Sequence, residues 1–311
     1  MLLSRVANSI YWMSRYLERA ENVARFIDVN THLMLDLALP VDETQWLPLI
    51  AASDDEAAFS ERYERPDEKS VVRFLTFDDK NPNSILSCIN KARENARTIR
   101  EIIPVEVWER INELYHLTQA HSRKRSVEAL ESYYSEVRRS GNHFAGMLIN
   151  AMSRDESWHF ARMGQLLERA DKTARLLDVK YFLLLPKGEA IDSPYDNVQW
   201  GAVLKSVNAL EMYRQEYHAI NYRDVTQFLL FSKRFPRSVH FSLDYASAAL
   251  SNICSGMPAN KALSDMYALN QRFLRTDATT ILATGLHEFI DNLQLSLNQA
   301  DQSIYETFFM R

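Results

Sequence analysis

The chain is poor in the residues that bend or staple a backbone. Its 311 residues include seven glycines and nine prolines. A β-rich chain needs turn residues every ten or so positions, so this scarcity favours long helices. Two cysteines, Cys88 and Cys254, do not make a disulfide framework and read as free thiols in a reducing compartment. No run approaches the ~18 apolar residues of a membrane span. The opening MLLSRVANSIYWMSRYLERAE places Arg5, Arg15 and Glu18 inside its apolar pattern and has no small-residue cleavage site, so it does not read as a signal peptide. A cytoplasmic protein is the expectation. Excess charge is missing too. A formal net charge of −5 offers no basic face for nucleic acid, and the longest basic run, His121–Arg125, reads as a solvated loop. There is no Cys-x-x-Cys pair, phosphate loop, Gly-x-Gly-x-x-Gly or Gly-x-Ser-x-Gly. No cofactor is expected.

What the chain does have is a sentence written twice. LERAENVARFIDV (Leu17–Val29) returns as LERADKTARLLDV (Leu167–Val179), with eight of thirteen positions unchanged. The correspondence runs at a shift of 150, then at 154 after a longer connection in the second copy. Gln45-Trp46 then matches Gln199-Trp200, Phe74 and Leu75 match Phe228 and Leu229, and Pro82 and Ser84 match Pro236 and Ser238. Chance does not keep one register across sixty residues, so the sequence reads as a tandem duplication with its seam near Ser153. Two helical repeats, 1–152 and 153–311, are expected to pack as one unit with pseudo-twofold related halves.

The period inside each copy is helical. Ile10, Met13, Leu17, Ala20, Ala24 and Ile27 step by three and four, as do Phe160, Met163, Leu167, Ala170, Ala174 and Leu177. This lays one apolar stripe along a long helix, with alanines that admit a close neighbour. The expectation is an all-α, long-helix bundle. Its helices should lie near 2–38, 43–63, 69–77, 84–102, 105–120 and 125–151, then 154–185, 197–219, 223–231, 238–254, 259–274 and 276–309. Ser153–Glu156 reads as a capping box and Asn81–Ser84 as a stop followed by a cap.

The polar face of the repeated helix carries the candidate chemistry. The first copy holds Arg15, Glu18, Arg19, Glu21, Arg25 and Asp28, and the second keeps Glu168, Arg169, Asp171, Arg175 and Asp178 at the corresponding positions. Exposed positions drift after a duplication, yet Glu18/Glu168, Arg19/Arg169, Arg25/Arg175 and Asp28/Asp178 are identical. That favours partly buried ion pairs between helices, which fix register more than they add stability. Trp12, Trp158 and Tyr16 fall beside this face, where they line either core or a pocket. His143 and His159 flank the seam, and a satisfied structural role is the commoner one for such a histidine. The words Glu113–His116 and Glu156–His159 have the spacing of a di-iron bundle. They sit at non-equivalent places, however, and Glu156 is already explained as a cap, so no metal site is expected.

Three stretches together resemble the bacterial alpha-E family: Leu3–Val29, His143–Val179, and the Gln-Trp after each long helix. The family pattern begins Leu-Ser-Arg-Val-Ala, then Tyr-Trp-x-x-Arg-Tyr-x-Glu-Arg-Ala-Glu. Later come Met-x-Arg (here Met152 and Arg154), Glu-x-Trp (Glu156 and Trp158), and Glu-Arg-Ala-Asp. Gln165 departs from it, since an arginine often follows that glycine. The resemblance implies an all-helical protein that works with ATP-grasp-like ligase proteins and transglutaminase-like proteins in a peptide- or amide-bond forming system. It brings no established reaction for the helical protein itself.

Two functional readings result. The leading one is a non-catalytic helical partner or scaffold, with no catalytic residue. Its candidate ligand- or partner-binding residues are Trp12, Arg15, Glu18, Arg19, Glu21, Arg154, Trp158, His159, Glu168, Arg169 and Asp171. The alternative is an enzyme or ligand-binding half-site in which Glu18 and Glu168 act beside Arg15, Arg19 and Arg169. The burial of the two glutamates separates these readings. A weaker expectation is a homodimer formed through an exposed aromatic surface at Tyr305–Met310.

Overall fold

The computed structural model of the chain describes residues 2–37, 46–53, 55–124, 130–184 and 194–310. Among the described residues every regular element is helical. In chain order these are α1 (Ser4–Leu37), α2 (Leu47–Ser53), α3 (Glu56–Ser60), α4 (Glu68–Phe77), α5 (Ile85–Thr98), α6 (Val105–Lys124) and α7 (Leu130–Asn150). There follow α8 (Glu156–Leu184), α9 (Pro194–Ser206), α10 (Leu210–Glu216), α11 (Tyr222–Phe231), α12 (Val239–Ile253), α13 (Lys261–Leu274), α14 (Ala278–Thr284) and α15 (Leu286–Ile304), which runs into a π-helical turn, Tyr305–Phe309. None of the described helices is long and apolar enough to cross a membrane.

The two long helices α1 and α8 pack on each other at the centre. Their small stripe residues Ala20, Ala24, Ala170 and Ala174 are buried. At Gly164 the approach is close: a Cβ there would sit 2.5 Å from the Tyr11 carbonyl oxygen. Helix α5 covers α1 and α12 covers α8. The connections cross over, so that α2, which follows α1, rests on α8, while α9, which follows α8, rests on α1. The ring clusters are also alike. Phe59 stacks on Tyr63 with Phe74 edge-on, and Tyr213 stacks on Tyr217 with Phe228 edge-on. Helix starts obey their caps. Ser84 accepts the Ser87 amide at 3.1 Å, and Ser238 accepts the Phe241 amide at 3.1 Å.

Several expectations need correction. The helix expected over 43–63 is two helices; residues 43–45 lie outside the described residues. The break lies between Ser53 and Glu56, where Asp55 precedes the second helix with φ −123 and its buried carboxylate takes the Asn83 amide at 2.8 Å. The helix expected over 197–219 breaks at Asn208, which adopts φ +55, a left-handed conformation that asparagine tolerates better than most residues. That expected over 276–309 breaks at Gly285, with φ +127, open to glycine alone. Helix α8 starts at Glu156, not at 154. Asp155 caps it by accepting the Trp158 amide at 3.1 Å, and the Glu156 carboxylate accepts the Leu2 amide instead of closing a capping box. At Tyr305–Met310 only part of the aromatic surface is turned inward: Phe308 packs edge-on against Phe160 and Phe309 tilts against Tyr11, while Tyr305 and Met310 are exposed.

Candidate functional site

The charged faces of α1 and α8 meet each other, and their groups pair crosswise. Arg169 on α8 grips Glu18 on α1, its Nε donating to Oε1 at 2.7 Å and its Nη2 to Oε2 at 2.8 Å. Arg19 on α1 grips Glu168 on α8 in the same fashion, at 2.6 and 2.8 Å. Two parallel N–H···O bonds per pair are the strong form of the Arg–carboxylate contact. Each Glu-Arg dipeptide therefore gives its acid to the opposite helix's base and its base to the opposite helix's acid. Of five Glu-Arg dipeptides in the sequence (18–19, 61–62, 64–65, 109–110 and 168–169), only the first and last have a buried glutamate.

A second arginine completes each carboxylate. Glu168 also accepts Arg15 Nε at 3.0 Å. Glu18 is approached by Arg237 Nη1 at 3.4 Å, from the turn before α12. The same Arg237 donates to Asn22 Oδ1 at 3.1 Å and to Glu21 Oε2 at 2.8 Å. Glu21 is further held by Arg25 Nε at 3.1 Å, and Asp171 by Arg175 Nε at 3.0 Å, each one turn along its own helix. Arg15 extends outward to Asp301 on α15 at 2.6 Å, where the Tyr11 hydroxyl also donates. Gln165, matched in sequence to Arg15, accepts from Arg162 at 2.7 Å. Burial pulls the Arg162 guanidinium down to about 10, and Arg169 adds to that.

The electrostatics favour the ionised form of three of the acids. Burial pushes the Glu168 carboxyl up, but the guanidinium groups of Arg19 and Arg15 outweigh it and hold it well below the usual carboxylate range. Glu21 is likewise opposed by burial and carried down to about 2 by Arg237 and Arg25. Asp171 is lowered against burial by Lys172 and Arg175. A glutamate kept ionised by bidentate arginines has no proton to donate, and one whose lone pairs are engaged is a poor base. Glu168, held ionised by Arg19 and Arg15, is therefore poorly placed to give or take a proton. Glu168 is fully buried.

Of the eleven sequence candidates, Arg15, Glu18, Arg19, Glu21, Glu168, Arg169 and Asp171 join in this network, and Trp12 borders it with the Arg15 guanidinium over its ring at 5.1 Å. Arg154, Trp158 and His159 form a separate group at the α7–α8 junction. Arg154 lies over Trp158 at 4.1 Å, Trp158 Nε1 donates to the Leu148 carbonyl at 2.7 Å, and His159 meets the indole edge-on. Sequence reasoning missed Asn83, Arg237 and Asp301. Asn83 and Arg237 each follow a matched proline and precede a matched serine, a signal that attention to identical residues passes over. Nothing in the sequence points to Asp301.

Two hollows open beside the network. One, of about 190 Å³, is lined by Arg15, Arg19, Asn83, Asp171, Lys172 and Asp301, among others; Glu168 does not line it. The other, of about 380 Å³, shares Arg175 with it and holds Asp178, His287 and Asp291. His287 Nδ1 lies 2.9 Å from Asp178 and Nε2 lies 3.5 Å from Asp291. These three are residues of metal-ligating type that neither Glu-x-x-His word supplied.

The chain is 22% identical over 291 residues to an uncharacterized protein of Mycobacterium bovis and to uncharacterized proteins of Mycobacterium tuberculosis. The match covers 88% of this chain and 32% of each relative, so the chain spans about a third of the length of the curated relatives it matches. No solved structure matches it. Residues 2–309 match the family model Alpha-E, described as a predicted alpha-helical domain with a conserved ER motif, and with two crossed Glu-Arg dipeptides at its centre the chain belongs to the alpha-E family.

Proposed function

We propose that the protein is a non-catalytic helical partner, working beside an ATP-grasp-like ligase and a transglutaminase-like enzyme in a peptide- or amide-bond forming system in the cytoplasm. The observation that carries this reading is the crossed clasp. The residues best suited to acid–base chemistry, Glu18 and Glu168, are each saturated by two arginines inside packed helices. What the clasp supplies is a fixed register between α1 and α8, the use for which buried ion pairs are best attested. A rigid two-helix spine with peripheral helices on both sides suits docking better than turnover. Support also comes from the relatives, in which the matched region is a part of a longer chain. A unit carried within a longer chain works next to whatever the rest of that chain folds into.

The same reading takes α1–α7 and α8–α15 as descendants of one duplicated helical unit. The matched caps at Ser84 and Ser238, the matched ring clusters and the reciprocal clasp support it. Affinity capture tests the function. The purified chain is mixed with a purified ATP-grasp-like ligase and a purified transglutaminase-like protein of the same organism, and complexes are resolved by gel filtration. Co-elution with at least one is expected; clean separation from both overturns the proposal.

A further inference from the structure

The two clasps are alike, but the spaces beside them are not. Beside Glu18 the slot is full: the Arg237 guanidinium lies in it, bonded to Asn22 and Glu21 and near Glu18. At the matched positions beside Glu168 stand Asn83 for Arg237, Lys172 for Asn22 and Asp171 for Glu21. The short Asn83 side chain stops at Arg19 and Asp55, and the cavity of about 190 Å³ remains.

The sign of the slot is inverted as well. Beside Glu18 a cation sits among anionic and neutral acceptors. Beside Glu168 the walls themselves bring Arg15, Arg19, Lys172 and Arg175 against Asp171 and Asp301. The Lys172 side chain is only 6% exposed, and among the described residues the carboxylate it reaches is Asp171, 3.3 Å away, which also takes Arg175 Nε. An ammonium has three donors, and one long contact in a buried wall leaves capacity unused. Arg15 Nη2 likewise has no partner among the described residues, while its Nε and Nη1 are engaged.

We propose that this cavity binds a small oxyanion, either a phosphate or the carboxylate of a short acid or peptide terminus, with Lys172 and Arg15 as the contacting cations. Its volume matches roughly six waters at ~30 Å³ each, enough for such a group and below the ~300 Å³ at which drug-sized ligand sites begin. The comparison of the two slots rests on the duplication reading above; the cavity and its cations do not.

The test is calorimetric titration of the full chain, at low ionic strength, with inorganic phosphate and separately with N-acetyl-alanylalanine. Saturable one-to-one binding of at least one of them is expected, with Kd of about 1 mM or tighter. Lys172→Gln should weaken it about tenfold or more, with the urea unfolding midpoint recorded alongside to show that the fold persists. Phosphate alone binding identifies a phosphoryl ligand, and the dipeptide alone binding identifies a carboxylate. No saturable binding of either, or binding unchanged in folded Lys172→Gln, overturns the proposal. Asn83→Arg separates the two ideas. Loss of binding means that the new guanidinium fills the slot as Arg237 fills its counterpart. Tighter binding leaves the anion site standing and overturns the correspondence of the slots.

Discussion

Gly164→Ala probes how closely α1 and α8 must approach. The added methyl would lie 2.5 Å from the Tyr11 carbonyl oxygen and 3.1 Å from Tyr11 Cδ2, whereas ordinary contact begins at 3.4 Å. The first of these atoms is backbone and cannot rotate away, so the helices must part locally by close to an ångström. A gap of ~0.5–1 Å forfeits a quarter to a half of the attraction of each atom pair lining it, and overpacking of this kind costs ~1–3 kcal/mol. Gly164 is one turn from Glu168 on the same face, so parting the helices also stretches the bonds from Arg19 and Arg15 to Glu168, now 2.6–3.0 Å. Alanine's better helix propensity returns only ~1 kcal/mol. The net loss expected is up to about 2 kcal/mol, seen as a lower urea midpoint at unchanged slope and a Tm lower by up to roughly 4–8 °C. Gly146→Ala on α7 is the control, since a methyl there meets nothing within 4 Å; it should raise stability by ~0.5–1 kcal/mol. Equal midpoints for the two alanine variants would refute the reasoning.

Other expectations follow from the same network. Glu168→Gln leaves Arg19 and Arg15 without their carboxylate, and urea unfolding should register a loss of ~3–5 kcal/mol. Acid should loosen the fold through the same groups. Glu21, Glu168 and Asp171 have folded pKa values below their unfolded ones, so their stabilisation is complete above the unfolded values and is lost as pH falls. For Glu21 that window runs from 4.5 down to about 2, each unit of depression being worth ~1.4 kcal/mol. Urea midpoints at a series of pH values should therefore fall steadily below pH 4.5, and a midpoint indifferent to pH there would contradict the assignment. Cys88 and Cys254 are free and buried, and burial pushes the Cys88 thiol up to about 12. A thiol-specific chromogenic reagent should leave both unreacted in the native chain and titrate both after unfolding.

The sequence carried the spine plainly, because a 3–4 periodicity sustained over many turns in both α1 and α8 admits no other element. The places where the expected helices break were hidden. The non-helical Asp55 before α3, bonded to the distant Asn83, and the turn at Asn208 are not encoded in local periodicity. Gly285 was visible as a residue, but a single glycine within a helical pattern is often tolerated. At the centre of the bundle, the repeated Glu-Arg dipeptides pointed to side chains that are buried and paired in the structure. Spacing along one helix suggested partners a turn away, as Arg25 is for Glu21. The crossed partners of Glu18 and Glu168 come from the opposite helix, which only packing reveals. The cavity escaped for a different reason. Identity between the two stretches selects what they share, and the cavity exists where they differ, at Asn83 and Lys172.

The most direct test of the clasp is a double-mutant cycle on Glu18 and Arg169, using Glu18→Gln, Arg169→Met and the pair together, read by urea unfolding at neutral pH. The account predicts that the double variant is more stable than the sum of the single losses implies, with a coupling of about 2 kcal/mol or more between the two positions. Single losses that simply add would mean that these side chains do not hold α1 to α8, and would contradict it.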